Sequence, residues 1–315
     1  MNTISITIFL TVLIAVIIGL MAGKHVKNKK ENFYVAGRKW PWIFVAIALV
    51  GQAIDGNSTL GSTSLGFSSG FWAAAALPIG LALSLFLLGK FFAPKLNSLN
   101  LMTLADFFHI KYNRKIEIIA SLLMIFSFGI LLAGNIAAVA ILLMNYVSIN
   151  YQAMVILVCL VILLYVIRGG IISDLYSDFW QLAILTLGII TTFIFVLNKF
   201  DFTGFFTSQS FVEGSNLNQM LKIGSGGLVN WATIVALGFG NLLAIDFNSR
   251  IYSARSPQDA KNGCYWGALF TLILGIPFAL LPVMINYLNI QSLDSTPILL
   301  IFAHIVLPPV IIGLL

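Results

Sequence analysis

An all-α bundle of membrane-spanning helices is the fold class this chain predicts, and three observations carry it. Apolar residues make up 59% of the chain and charged residues 9%, with a mean hydropathy of +0.99; a soluble domain carries about 25% charged residues. The apolar residues gather in runs long enough to cross a hydrocarbon layer of about 30 Å, which takes roughly 20 helical residues. Alternating segments of about 10 residues, the mark of a membrane β-barrel, do not occur. Lipid offers the backbone no hydrogen-bond partner, so helices are the expected spanning form.

Eight spans follow in order: 3–22, 40–66, 71–89, 116–146, 152–167, 177–197, 228–247 and 264–288. The first has no basic residue ahead of it and no small-residue cleavage site, so it reads as a retained helix rather than a secretion signal. Span 2 carries Gly51-Gln52-Ala53-Ile54-Asp55-Gly56-Asn57-Ser58-Thr59 and further glycines to Gly66. Glycine is about 1 kcal/mol worse than alanine in a helix, so a break is expected near residues 54–58. Free carbonyls at membrane depth are tolerated only where they line a cavity. Span 7 holds a weaker version, Gly238-Phe239-Gly240-Asn241 on to Asp246. Paired interrupted helices point to a transporter site, whereas glycines alone also serve close helix packing. Between spans 3 and 4, Leu104–Phe108 reads as a short interfacial helix. The segment 198–227 is a long loop rich in Gly, Ser, Asn and Phe.

Basic residues set the orientation. Of the 17 Lys and Arg residues, 15 follow spans 1, 3, 5 and 7. The positive-inside rule then puts those ends in the cytoplasm and the N-terminus outside, in a multi-pass protein of the plasma (inner) membrane. The formal charge of +6 is accounted for by these loops, with no nucleic-acid partner. Cys159 and Cys264 sit inside spans and read as small apolar packing residues. His25, His109 and His304 are scattered and form no ligand cluster. No hydrolytic, redox or nucleotide-binding motif occurs, so the chain reads as neither an enzyme nor an ATP-driven pump.

Asp55 is the acidic residue deep inside a span. A charge there costs about 2.5–3.5 kcal/mol on insertion scales. A small cation beside it would offset that cost, and hard cations take oxygen ligands such as carbonyls and hydroxyls. A protonated, hydrogen-bonded structural aspartate is the alternative, and a proton could replace sodium as the coupling ion. Asp174 and Asp178 open span 6, where the helix dipole favours anions. Capping suits Asp174, while Asp178, one turn deeper and ahead of Gln181, could mark an ion exit route. Asp246 and Arg250 have the spacing of an i, i+4 ion pair.

In order along the chain, four stretches resemble the sodium:solute symporter family: Phe33–Arg38; the Asp55 region with Gly66; Gly169-Gly170 followed by Ser177-Asp178-Phe179-Trp180-Gln181; and Asp246–Arg250 with Ser253–Arg255 and Ala260. The resemblance covers essentially the whole chain. It implies a LeuT-type inverted-repeat fold in one transmembrane domain, 1–315: an extra first helix and basic loop (1–39), a five-helix repeat (40–197) and a partial second repeat (228–315). It also implies sodium as coupling ion with no other cofactor. Ala53, Asp55 and Gly56 would form the ion site, with Asp178 near the ion route. A small organic solute would lie near Asn57, Ser58 and Thr59, with Asn135 and Asn241 as further neighbours. Ser249 departs from the family's glutamine. The second repeat is incomplete: residues 297–306 fit an extracellular helix, 308–315 the start of a ninth span, and that span's Ser/Thr ligands are missing. A fragment, a truncated product and a shortened variant all fit this pattern, and a solute-sensing input domain or a non-transporting remnant stands as the alternative function.

Overall fold

The computed structural model describes residues 3–24, 26, 30–199, 202–288 and 296–314; His25 and the terminal Leu315 fall outside them. Helices dominate, with one isolated bridge, between Trp40 and Ala254, among the described residues. Five described helices are long and apolar enough to cross a membrane: Thr3–Gly23, Phe71–Ser98, Arg114–Met144, Val166–Lys199 and Pro257–Tyr287. Two bent pairs add spans 2 and 7, each with a 51° bend, and Tyr151–Leu164 is a shorter apolar helix. Seven of the eight expected spans thus have a counterpart of membrane-crossing length, with shifted ends, and the fifth corresponds to the shorter helix.

Span 3 runs past its expected end at 89. It continues through a π-helical turn, Leu88–Phe92, into Ala93–Ser98. Spans 5 and 6 form one helical stretch, Tyr151–Lys199, interrupted at Gly170. A straight helix of that length would reach about 75 Å, more than twice the hydrocarbon thickness. The chain folds over at Gly170, whose φ of +51° suits a residue with no Cβ. Span 6 therefore begins directly after Gly170, not at 177, and Asp174 and Asp178 lie within it.

The interfacial helix appears as Leu104–Lys111, capped reciprocally by Thr103 and Asp106. The 198–227 loop holds three short helices, Phe202–Thr207, Gln209–Gly214 and Asn218–Leu221. Helix Ile298–Val306 forms as expected and packs on the second half of span 2. Pro309–Leu314 is a short helix lying chiefly against span 1.

Packing divides the helices into two groups. Spans 2, 3, 7 and 8 contact one another most, and span 3 is central to them. Span 1 packs along the Tyr151–Lys199 stretch, which also receives span 4. The groups meet where Trp42–Ala53 touches spans 5 and 6 and where Gly56–Ser69 touches span 4. Two apolar clusters fill the interior: one around Leu49, Leu85, Leu88, Phe247 and Tyr252 at the basic end, the other around Val50, Phe278, Phe302 and Val306 at the opposite end. The break in span 2 lies between them.

Candidate functional site: the break in span 2

The first half of span 2, Trp42–Ala53, stops because Ile54 leaves the helical region at φ −112°, ψ 79°. Ile54 N–H still closes on the Val50 carbonyl at 2.9 Å. The carbonyls of residues 51–53 come next, at a helix end where the helical pattern supplies no donors. Asp55 then starts the second half, Gly56–Ser69, in extended conformation. Its Oδ1 accepts from Ser58 N–H at 2.7 Å, and Asp55 N–H donates to Ser58 Oγ at 3.0 Å. This reciprocal capping box satisfies two N-terminal donors at once. The half-buried Asp55 carboxylate thus has a structural duty, and it stands where the dipole of the second half-helix favours negative charge.

The other expected site residues separate into those at the break and those away from it. Ala53 is buried and Gly56 approaches Ala138 and Val139 of span 4. Thr59 Oγ1 donates to the carbonyls of Asp55 and Gly56 at 3.0 and 3.1 Å. A cavity of about 10 Å³ opens beside Ala53, Ile54, Ser58, Thr59 and Ser62, walled by Pro78, Leu81, Gly275 and Phe278 of spans 3 and 8. That is the volume of about one water-sized sphere. Asn135 is on span 4 one turn from Ala138. Asn57 begins the second half-helix, but its side chain lies outside the described residues. Asn241 is in a 3₁₀ turn that packs on span 3, and its Nδ2 donates to the Leu237 carbonyl at 3.0 Å. A larger, apolar cavity of about 240 Å³ lies between span 1, span 4 and the 298–314 helices, with none of the expected site residues in its wall.

The first half of span 2 continues the polar path on the basic side. Gln52 Nε2 donates to Asp178 Oδ2 at 3.4 Å. Gly51 makes room for that contact: a Cβ there would stand 3.2 Å from the Asp178 Cγ. Asp178 Oδ2 also lies 3.6 Å from Arg250 Nη2, and the same guanidinium is hydrogen-bonded to Asp174. Arg250 and Asp178 are each only 5% exposed, so the guanidinium, shared between two carboxylates, offsets part of the cost of burying them. Asp174 lies in the first turn of span 6 after Gly170, where the dipole favours an anion, and it also pairs with Arg250. One expectation is corrected here. Arg250 does not pair with the Asp246 carboxylate; its Nη1 donates to the Asp246 carbonyl at 3.4 Å, while that carboxylate accepts from Phe247 N–H. The Asp246 side chain is drawn to the N-terminus of its own helix, Ile245–Ser253, where anions are favoured.

The end of that helix is fixed from the first group of spans' own loops. Buried Asn97 donates to the Ile251 and Ala254 carbonyls at 2.9 and 3.0 Å, and Arg38 donates to the Tyr252 and Leu101 carbonyls. Neither Gln52, Arg250 nor Asn97 stood out as a site residue in the sequence. The signal that was present is the i, i+4 spacing of Asp174 and Asp178, which puts two carboxylates on one helix face and calls for a cation between them.

Comparisons with known proteins bear on the family and the fold. The chain is 26% identical over 271 residues to the sodium/glucose cotransporter of Vibrio parahaemolyticus, a match that covers 81% of this chain and 49% of the relative. It is 23% identical over 288 residues to the human high affinity choline transporter 1, covering 88% and 49%. The chain thus spans about half the length of these relatives, both of them transporters. The fold matches that of a Na+-coupled sialic acid symporter solved in a substrate-bound outward-open state, with a TM-score of 0.77 at 18% identity over 100% of this chain and 68% of the other. The LeuT-type helix arrangement expected from the motifs is therefore the one observed. The sodium:solute symporter family pattern matches residues 33–309, and the chain belongs to the sodium:solute symporter family.

Proposed function

We propose that this chain forms the ion-binding portion of a sodium-coupled symporter that imports a small organic solute across the plasma membrane by alternating access. The observation that carries the reading is the break at Ile54–Asp55, where a helix end at Ala53 and the hydroxyl residues Ser58, Thr59 and Ser62 line a cavity of about 10 Å³ and the Asp55 carboxylate caps the next half-helix. Oxygen ligands of this kind suit a hard monovalent cation. Ala53 and Gly56 would give carbonyls, Asp55 the balancing charge, and Asp178 a relay toward the basic side. The solute would bind near Asn57, Ser58 and Thr59, with Asn135 opposite. The present volume at the break holds an ion and not an organic solute, so solute binding requires the two helix groups to part.

Alternating access would be a tilt of spans 2, 3, 7 and 8 against the rest, with residues 40–197 and 228–315 acting as a full and a partial repeat. The Arg250 contacts to Asp174 and Asp178 join the two groups on the basic side, taken as cytoplasmic, with the N-terminus outside. The apolar packing of Ile298–Val306 on span 2 closes the opposite side. Sodium would favour the solute-ready state by its differential affinity for it.

The test is uptake into proteoliposomes that carry the complete protein, with sodium or potassium outside. Sodium-dependent uptake that falls at least tenfold in Asp55→Asn supports the reading. Uptake that is indifferent both to sodium and to Asp55→Asn rejects it.

A further inference from the structure

At the basic end of span 3 the helix passes through the π-helical turn Leu88–Phe92. Such turns often mark functional places, because the extra residue rotates the side chains that follow. Spans 3 and 8 touch closely here. A Cβ on Gly89 would stand 2.9 Å from Cys264 Cβ and 3.0 Å from the Tyr265 ring. The close approach stacks Phe86 on Tyr265, with ring centroids 5.5 Å apart and planes at 30°.

Two lysines flank this stack. Lys90 Nζ lies 5.3 Å from the Phe91 centroid and 5.9 Å from that of Phe86, and Lys261 Nζ lies 5.8 Å from that of Tyr265. Neither lysine joins an ion pair among the described residues. Arg255, by contrast, is neutralised by Asp259 one turn away. Two cations are thus held over aromatic faces without a counter-anion, and the ring contacts limit where they can go.

An apolar stripe continues from the lysines toward the middle of the bundle. Trp266, Leu269 and Ile273 are 43%, 44% and 55% exposed, and follow one another at i, i+3 and i+7 on span 8. Phe86 and Phe91 are exposed beside them. A free anion would use the lysines and leave this stripe bare. A ligand with an anionic head and an apolar tail would use both.

We propose that Lys90, Lys261 and the Phe86–Tyr265 stack form a binding site for one anionic phospholipid, with its phosphate between the two ammonium groups and its acyl chains along Leu269 and Ile273. The bound lipid would tie span 3 to span 8, two members of the helix group that the proposed transport cycle moves. The lipid site itself rests on the local geometry and stands whether or not the transport reading holds.

The experiment uses the protein in nanodiscs of mixed phosphatidylcholine and phosphatidylglycerol, released into mild detergent and weighed intact by mass spectrometry. Each lysine near an anionic headgroup contributes roughly fivefold in affinity, so Lys90→Gln with Lys261→Gln should weaken phosphatidylglycerol retention by about twenty-fivefold. Phosphatidylcholine retention should not change. Lys90→Arg with Lys261→Arg should keep most of the binding, and Lys222→Gln, in the loop at the other end, should have no effect. Inorganic phosphate in excess should not displace the lipid. The proposal is overturned if the glutamine pair retains phosphatidylglycerol as the parent does, if Lys222→Gln loses it equally, or if inorganic phosphate competes it off. Should the glutamine pair fail to fold, salt titration of the parent decides. Preferential retention that falls as salt rises supports the site, and retention indifferent to salt overturns it.

Discussion

Replacing Arg250 by methionine strands two carboxylates inside the protein. Asp178 is buried and its Oδ2 stands 3.6 Å from the guanidinium, a separation worth about 5 kcal/mol of gross attraction at an effective dielectric constant of 20. Asp174 adds a second contact from a more exposed position. Much of that attraction offsets the cost of removing the charges from water. Breaking such a buried pair from one side costs about 3–5 kcal/mol, whereas removing every charge together is often close to neutral. Arg250→Met should therefore destabilise by about 3–5 kcal/mol, and the triple variant with Asp174→Asn and Asp178→Asn should recover most of the loss. Unfolding in mixed micelles by added denaturing detergent measures both. A cycle of Arg250→Met against Asp178→Asn should give an interaction energy above about 2 kcal/mol, well beyond the roughly 0.5 kcal/mol within which independent sites add. Additivity within that margin, or a triple variant less stable than Arg250→Met alone, would refute the reading of these residues as one coupled charge cluster.

Gly51→Ala places a Cβ 3.2 Å from the Asp178 Cγ and should cost about 1–3 kcal/mol through overpacking, measured by the same unfolding assay. Asp55→Ala removes the cap of the second half of span 2 and should cost about 1 kcal/mol. Asp55→Asn keeps an acceptor for Ser58 N–H, so its stability should stay within about 0.5 kcal/mol of the parent while its sodium response is lost. Asn97→Ala leaves the Ile251 and Ala254 carbonyls without their buried donor and should cost about 1–3 kcal/mol. It should also raise hydrogen exchange at 250–255.

The spans were legible because apolar run length is a one-dimensional property, and so was the break at Ile54–Asp55, where glycines and a carboxylate interrupt an apolar run. The end of span 3 was not. Its continuation to Ser98 rests on a π-helical turn and on packing against span 8, which run length does not record. Gly170 was quoted as part of a motif, yet its role as the fold between spans 5 and 6 depends on a positive φ. Arg250 was misassigned because Asp246 is its neighbour in sequence at helical spacing, whereas Asp174 and Asp178 are its neighbours in space. Asp246 lies in the first turn of its own helix, accepting from Phe247 N–H, only because that helix starts at Ile245, after the bend in span 7.

Hydrogen exchange across residues 50–60, followed in sodium and in potassium at equal ionic strength, tests most directly whether the interrupted helix takes up the ion. Sodium ligation at the helix-end carbonyls should slow exchange at 54–59 in the parent, and the effect should vanish in Asp55→Asn while exchange elsewhere keeps its rate. Equal exchange in the two salts, or slowing that persists undiminished in Asp55→Asn, would contradict an ion site at Ala53–Gly56.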